Sequence, residues 1–109
     1  MIARIWRGET KRENAAEYMS VIRETGVRDY RAIDGNHGVL VFTRSRDERT
    51  EFTVLTLWRS LDSISQFAGE DINRARYYPQ DERYLLSFPT EVEHVECTLA
   101  DMDGLSAGL

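Results

Sequence analysis

The residue types best suited to bond-making chemistry are few in this chain: one cysteine, Cys97, and two histidines, His37 and His94. Histidine is the side chain whose ordinary pKa suits proton transfer near neutrality, which makes His94 a candidate proton acceptor. His37 follows Asn36 and precedes Gly38, a run that reads as turn chemistry. Metal ligation wants several donors converging. His94 and Cys97 stand three apart in a segment patterned as a strand, so they point to opposite faces. His94 and Glu96 share a face but have no evident third ligand, and no metal site is expected. A single cysteine in a strand reads as a small apolar residue. The carboxylate pairs Glu70-Asp71 and Asp81-Glu82 are adjacent in sequence. Acid–base pairs need a defined separation across a substrate, so capping or solvation is their expected role. There is no G-x-S-x-G elbow, phosphate-binding glycine loop or dinucleotide fingerprint.

The elements that must position these groups follow from periodicity. Residues 1–7 alternate, with Ile2, Arg4 and Trp6 on one face and Ala3, Ile5 and Arg7 on the other, as in a strand. Gly8 is expected to break it. Thr10 and Glu13 have capping-box spacing, and Ala15, Tyr18, Met19 and Ile22 form one apolar helical stripe opposite Glu13, Glu17, Ser20 and Glu24. Gly26 is expected to end that helix. A short extended segment over 30–33 and a tight Asp34-Gly35 turn come next, then strands over 39–43 and 52–58 that pair as an antiparallel hairpin. The run Val39-Leu40-Val41-Phe42-Thr43 predicts a central strand covered on both faces.

Ser60 caps a second helix with Leu61, Ile64, Phe67 and Ala68 on one side, and Gly69 stops it. Residues 70–89 read as short helical pieces or a loop over a pocket, with Asp71 capping a turn and Pro79 interrupting. Val92–Leu99 is the last strand. The order β-α-β-β-α-β gives an α+β, ferredoxin-like domain over 1–99, with a four-stranded antiparallel sheet, two helices on one face and a flexible tail over 100–109. Apolar residues on both sides of the sheet leave one face uncovered, so a second copy is the expected cover.

At 109 residues, with 41% hydrophobic and 30% charged residues, the chain fits one globular domain. Lys and Arg number 14 against 19 Asp and Glu, a net charge of -5, which argues against nucleic acid as a partner. The local Arg44, Arg46, Arg49 cluster is interleaved with Asp47 and Glu48 and reads as a solvated hairpin end. No apolar run approaches the roughly 20 residues of a membrane span. The N-terminal residues lack a signal-peptide pattern, so a cytoplasmic location is expected.

Four stretches resemble the antibiotic biosynthesis monooxygenase superfamily of dimeric α+β barrels: the opening Met1–Arg7, the junction Leu55-Thr56-Leu57-Trp58-Arg59-Ser60, Phe67-Ala68-Gly69-Glu70-Asp71, and the closing Glu91–Glu96. The resemblance implies a homodimer with a pocket between sheet and helices. It also implies one of two activities that need neither flavin nor built-in metal. The first is oxygenation of an aromatic or quinol-type small molecule, the substrate itself reducing oxygen. Under it Trp6 and Phe67 line the substrate site, and Tyr77, Tyr78 and His94 are the catalytic candidates that move a proton, with no cofactor. The second is oxidative haem breakdown. Haem-degrading members carry Asn, Trp and His where this chain aligns Trp6, Phe67 and Tyr77, and these differences rank that reading third. A non-catalytic dimer that binds a small apolar ligand, or serves as an interaction module, is the alternative, since one scaffold hosts many roles.

Overall fold

A computed structural model describes residues 1–105; the last four residues of the expected tail lie outside the described part. Strand β1 (Ile2–Lys11) leads through a short 3₁₀ turn (Arg12–Asn14) into helix α1 (Ala15–Ile22). A π-helical segment (Arg23–Val27) and helix α2 (Arg28–Arg31) continue it, and strands β2 (Asn36–Arg46) and β3 (Arg49–Trp58) follow. Helix α3 (Leu61–Ala68), a 3₁₀ turn (Pro79–Arg83) and strand β4 (Glu93–Glu96) complete the order. The sheet is four-stranded, ordered β2-β3-β1-β4, and each neighbouring pair is antiparallel, the arrangement expected from the sequence.

Several local expectations are corrected. Gly8 does not break β1: it pairs with Phe52, and a methyl group there would sit 2.3 Å from the Trp6 indole, so the missing side chain makes room for that ring. Thr10 forms no capping box. It lies in the strand, and its hydroxyl donates to the Lys11 carbonyl at 2.9 Å. Gly26 does not end the first helix, and residues 30–31, expected to be extended, are helical. A side chain at Gly26 would meet the Tyr30 ring at 3.2 Å, so the glycine permits close approach of that phenol. The Thr25 hydroxyl donates to the Val21 carbonyl at 2.7 Å, a back-bond that bends helices and accompanies the π turn here.

Strand β2 is an edge strand, not a central one. Its apolar character on both sides arises because Val39 and Val41 pack against the helix-side core, while Leu40 and Phe42 stand on the opposite face, Phe42 51% exposed. The α1 stripe is as expected, with Tyr18 and Ile22 buried and the acidic face exposed. In α3 the Ser60 hydroxyl accepts from the Ser63 amide at 3.2 Å, and Ile64 and Phe67 are buried; Leu61 faces outward. Gly69 ends the helix with a positive φ of 87°. The final strand is shorter than expected, Glu93–Glu96.

Core packing falls into two groups on the helix side of the sheet. Tyr18, Ile22, Phe52, Val54 and Leu85 form one, and Trp58, Ile64 and Phe67 the other. Tyr30 packs against both. Burial of side chains this large supplies about 1.5–3 kcal/mol each. The strand registers place Ala3, Ile5, Leu40, Leu55, Leu57 and Val95 together on the other face, where Ala3 and Leu57 are buried, Ile5, Leu40 and Leu55 half-buried and Val95 exposed. No helix among the described residues is long and apolar enough to cross a membrane.

Candidate functional site

Alternation along β1 sends Arg4 and Trp6 toward the helices, where α1, the π turn and the 76–81 segment close over them. Arg4, Trp6, Phe67, Tyr77, Tyr78 and Asp81 border one void of about 40 Å³. Four of the five expected site residues are thus brought together. His94 pairs with Arg4 across β1 and β4 and stands against its guanidinium, and it is not among the side chains bordering the void.

Arg4 is the least expected member. A charge in an alternating strand reads as solvent-facing, yet Arg4 is only 4% exposed. Its guanidinium donates to the carbonyls of Ile72 and of Arg74, the latter at 3.0 Å, and to His94 Nε2 at 3.2 Å. No carboxylate among the described residues pairs with it. Burying an ion without a counter-charge costs on the order of several kcal/mol. That burial lowers the Arg4 pKa, opposed in part by Tyr30. His94 receives the Arg4 hydrogen bond only with a lone pair on Nε2, so its proton sits on Nδ1. Desolvation, and then the Arg4 charge, push its pKa below the ordinary 6.5.

Trp6 Nε1 donates to the Tyr77 hydroxyl at 3.2 Å, and the rings meet edge to face at 6.3 Å. The Tyr77 hydroxyl in turn donates to the Pro89 carbonyl at 2.5 Å, and burial raises its pKa. Tyr78 donates to Asp29 Oδ2 at 2.6 Å; burial first, then that bond, raises the phenol pKa, while Asp29 is lowered mainly by the same bond. Tyr78 is therefore a proton donor already engaged with a carboxylate. Arg76 covers the Phe67 and Tyr78 rings at 4.7 and 5.1 Å, donates to the Phe67 carbonyl at 3.0 Å and lies 3.6 Å from Asp29.

The second group missed in the sequence is Asp81. Its expected capping role is present, since Oδ2 accepts the Tyr78 amide at 2.7 Å at the start of the 3₁₀ turn. Its other oxygen accepts the Tyr18 hydroxyl at 3.0 Å, and the residue is 5% exposed with no cation paired to it among the described residues. Burial and then Asp81 push the Tyr18 phenol pKa well up. Tyr30, partly buried and facing both Arg4 and Asp81, is pushed up to about 12, chiefly by desolvation. The cavity thus holds a buried carboxylate and a buried guanidinium that are not paired with each other, with phenols and a phenylalanine around them. Tyr18 was legible as part of an apolar stripe. Nothing in the sequence linked it to Asp81, 63 residues away.

Haem fits this arrangement poorly. The void is about 40 Å³, and the Tyr77 hydroxyl is held between Trp6 and Pro89. No group of three or more His, Cys, Asp or Glu among the described residues is placed to hold a metal ion. The Cys97 thiol lies 3.5 Å from the Leu99 carbonyl, and its amide donates to the Met1 carbonyl at 2.9 Å.

Solved structures share the architecture. A candidate antibiotic biosynthesis monooxygenase from Bacillus cereus superposes with a TM-score of 0.61 at 15% identity, over 92% of this chain and 97% of its own. The chain has the fold of the antibiotic biosynthesis monooxygenase proteins. A conserved protein from Methanosarcina mazei Go1 gives 0.63 at 18% identity, over 86% and 89%. Rv0793 from Mycobacterium tuberculosis gives 0.58 at 21%, over 96% and 98%. No family model and no curated sequence matches the chain.

Proposed function

We propose that the protein is a cofactor-independent monooxygenase of an aromatic or quinol-type small molecule, working as a homodimer. The observation that carries this reading is the buried Asp81 carboxylate bordering the same aromatic-walled void as Trp6, Phe67, Tyr77 and Tyr78. Oxygenation without a cofactor needs a substrate that becomes an electron-rich anion, and that takes a proton acceptor in a site screened from water. Asp81 is the acceptor, in place of the His94 expected from sequence. The deprotonated ring then reduces oxygen. For a ring CH₂ converted to C=O, the substrate supplies all four electrons, one oxygen atom enters the product and the other leaves as water. Trp6 and Phe67 supply flat walls, and Tyr77 and Tyr78, whose hydroxyl protons are held by Pro89 and Asp29, complete the aromatic lining.

The void of about 40 Å³ is well below the roughly 300 Å³ of ordinary small-molecule sites. Substrate entry therefore requires the irregular segment over 69–78, which carries Arg76, Tyr77 and Tyr78, to move outward. The same small volume favours the second reading, a non-catalytic small-ligand-binding or interaction dimer of this fold. The apolar sheet face, with Phe42 and Val95 exposed and Ile5, Leu40 and Leu55 half-buried, supports the second copy as its cover.

Oxygen uptake separates the two readings. With anthrone or 1,4-naphthoquinol, the purified protein is expected to consume oxygen faster than the uncatalysed reaction, and Asp81→Asn to lose that excess. Uptake no faster than buffer across such substrates would leave the binding dimer as the reading to pursue.

A further inference from the structure

Resting on the small-molecule reading above, we infer that the ligand of this cavity is a planar aromatic acid, its carboxylate seated on Arg4 with Arg76 at the entrance and its reactive ring position turned toward Asp81. Arg4 is 4% exposed, and three contacts engage its guanidinium: two backbone carbonyls and one neutral imidazole nitrogen. A guanidinium has five N–H donors, so these contacts do not use all of them. None of its partners among the described residues carries negative charge. Carbonyl and imidazole contacts fix where the group points but leave its charge uncompensated, and burial, then the Arg4 charge itself, disfavours a proton on His94 Nε2. A carboxylate arriving in the cavity supplies the missing counter-charge in the planar, two-oxygen form that a guanidinium matches best.

Phe67 links the two cations. The Arg4 and Arg76 guanidinium carbons lie 5.9 and 4.7 Å from its ring centroid, and the aromatic face favours both. Arg76 is on the solvent side, its side chain 42% exposed, and shares Asp29 with Tyr78. Asp81, on the same lining, repels a second carboxylate and so sets the orientation. An acid that enters with its charge toward Arg4 presents its far edge to the proton acceptor.

The test compares 2-naphthoate with 2-naphthamide, a neutral molecule of the same shape, by titration calorimetry on the full-length protein near pH 7.5. The naphthoate is expected to bind about tenfold tighter or more, the range of a charge-assisted hydrogen bond. Arg4→Gln abolishes the preference and Arg4→Lys keeps part of it. If Arg4→Gln does not fold, Arg76→Gln gives the reading, lowering the ratio of naphthoate to naphthamide affinity severalfold. Equal binding of acid and amide, binding of neither, or a preference untouched by Arg4→Gln and Arg76→Gln overturns the inference. The oxygenase reading fails separately: charge-selective binding without oxygen uptake sinks only that reading, and oxygen uptake without charge selectivity sinks only this one.

Discussion

The two faces of the sheet are built from the same strands and could hardly differ more. On the helix side, β1 and β3 contribute Arg4, Trp6, Thr56 and Trp58, side chains that each carry a polar group and are each tied to a partner: the Trp58 indole donates to the Thr56 hydroxyl at 2.8 Å, and Trp6 to Tyr77. On the other side the same strands offer Ala3, Ile5, Leu55 and Leu57, with Leu40, Phe42 and Val95 beside them. Buried polar groups are costly unless satisfied, so they persist where they fix a geometry. Aliphatic side chains fix little beyond contact. The proposed function puts the chemistry on one face and the assembly on the other, and substitutions on each should separate the two.

The largest expected effect is at the cavity. Asp81→Asn keeps the shape of the side chain and removes the proton acceptor, so substrate-dependent oxygen uptake should fall by roughly a hundredfold or more while the molecular mass in solution stays that of the dimer. A variant with both properties unchanged would break the division on the chemical side. Next comes Phe42→Asp, which places a charge on the open face; light scattering after size exclusion should show the mass falling to that of one chain, with 2-naphthoate binding by each chain retained. Persistent dimers would mean that this face is not the seam.

Trp6→Phe loses the indole donor to Tyr77 and part of the ring over Gly8, and urea unfolding should register a loss of about 1–2 kcal/mol. An unchanged midpoint would show that this contact holds nothing in place. The smallest effect is acidic. His94 has a folded-state pKa below the ordinary 6.5. Well above pH 6.5 the ring is neutral in folded and unfolded chains alike. Below it the unfolded chain takes up the proton first, so stability falls with pH toward the folded value. His94→Gln, which still offers an acceptor to Arg4, should flatten that part of the profile. A decline of the same steepness in the variant would assign it to other groups.

The sequence revealed the frame more readily than the cavity. Alternation in 1–7 and 52–58, the Ser60 cap and the Gly69 stop all depend on neighbours in the chain, and all appear in the structure. Gly8 and Gly26 were misread because a glycine marks either a bend or a close approach, and only the folded chain shows the Trp6 and Tyr30 rings lying against them. The run over 39–43 was read as central because apolar residues on both faces usually mean two covers. Here it is an edge strand with helices on one side and the open face on the other. Arg4, and Asp81 beyond its capping role, escaped notice as cavity charges for a shared reason. A charge in sequence reads as solvated, and what buries these two lies far along the chain: Ile72 and Arg74 for Arg4, Tyr18 for Asp81. Trp6, Phe67, Tyr77 and Tyr78 were legible because aromatic residues keep their meaning as walls wherever the chain places them.

The division between the faces is tested most directly by a crystal structure of the protein with 2-naphthoate bound. The naphthalene is expected between sheet and helices, against Phe67 and Trp6, with its carboxylate within hydrogen-bonding distance of Arg4 and the 69–78 segment displaced outward. A ligand seated instead on the face of Ile5, Leu40 and Leu55, with the helix-side void still closed, would contradict it.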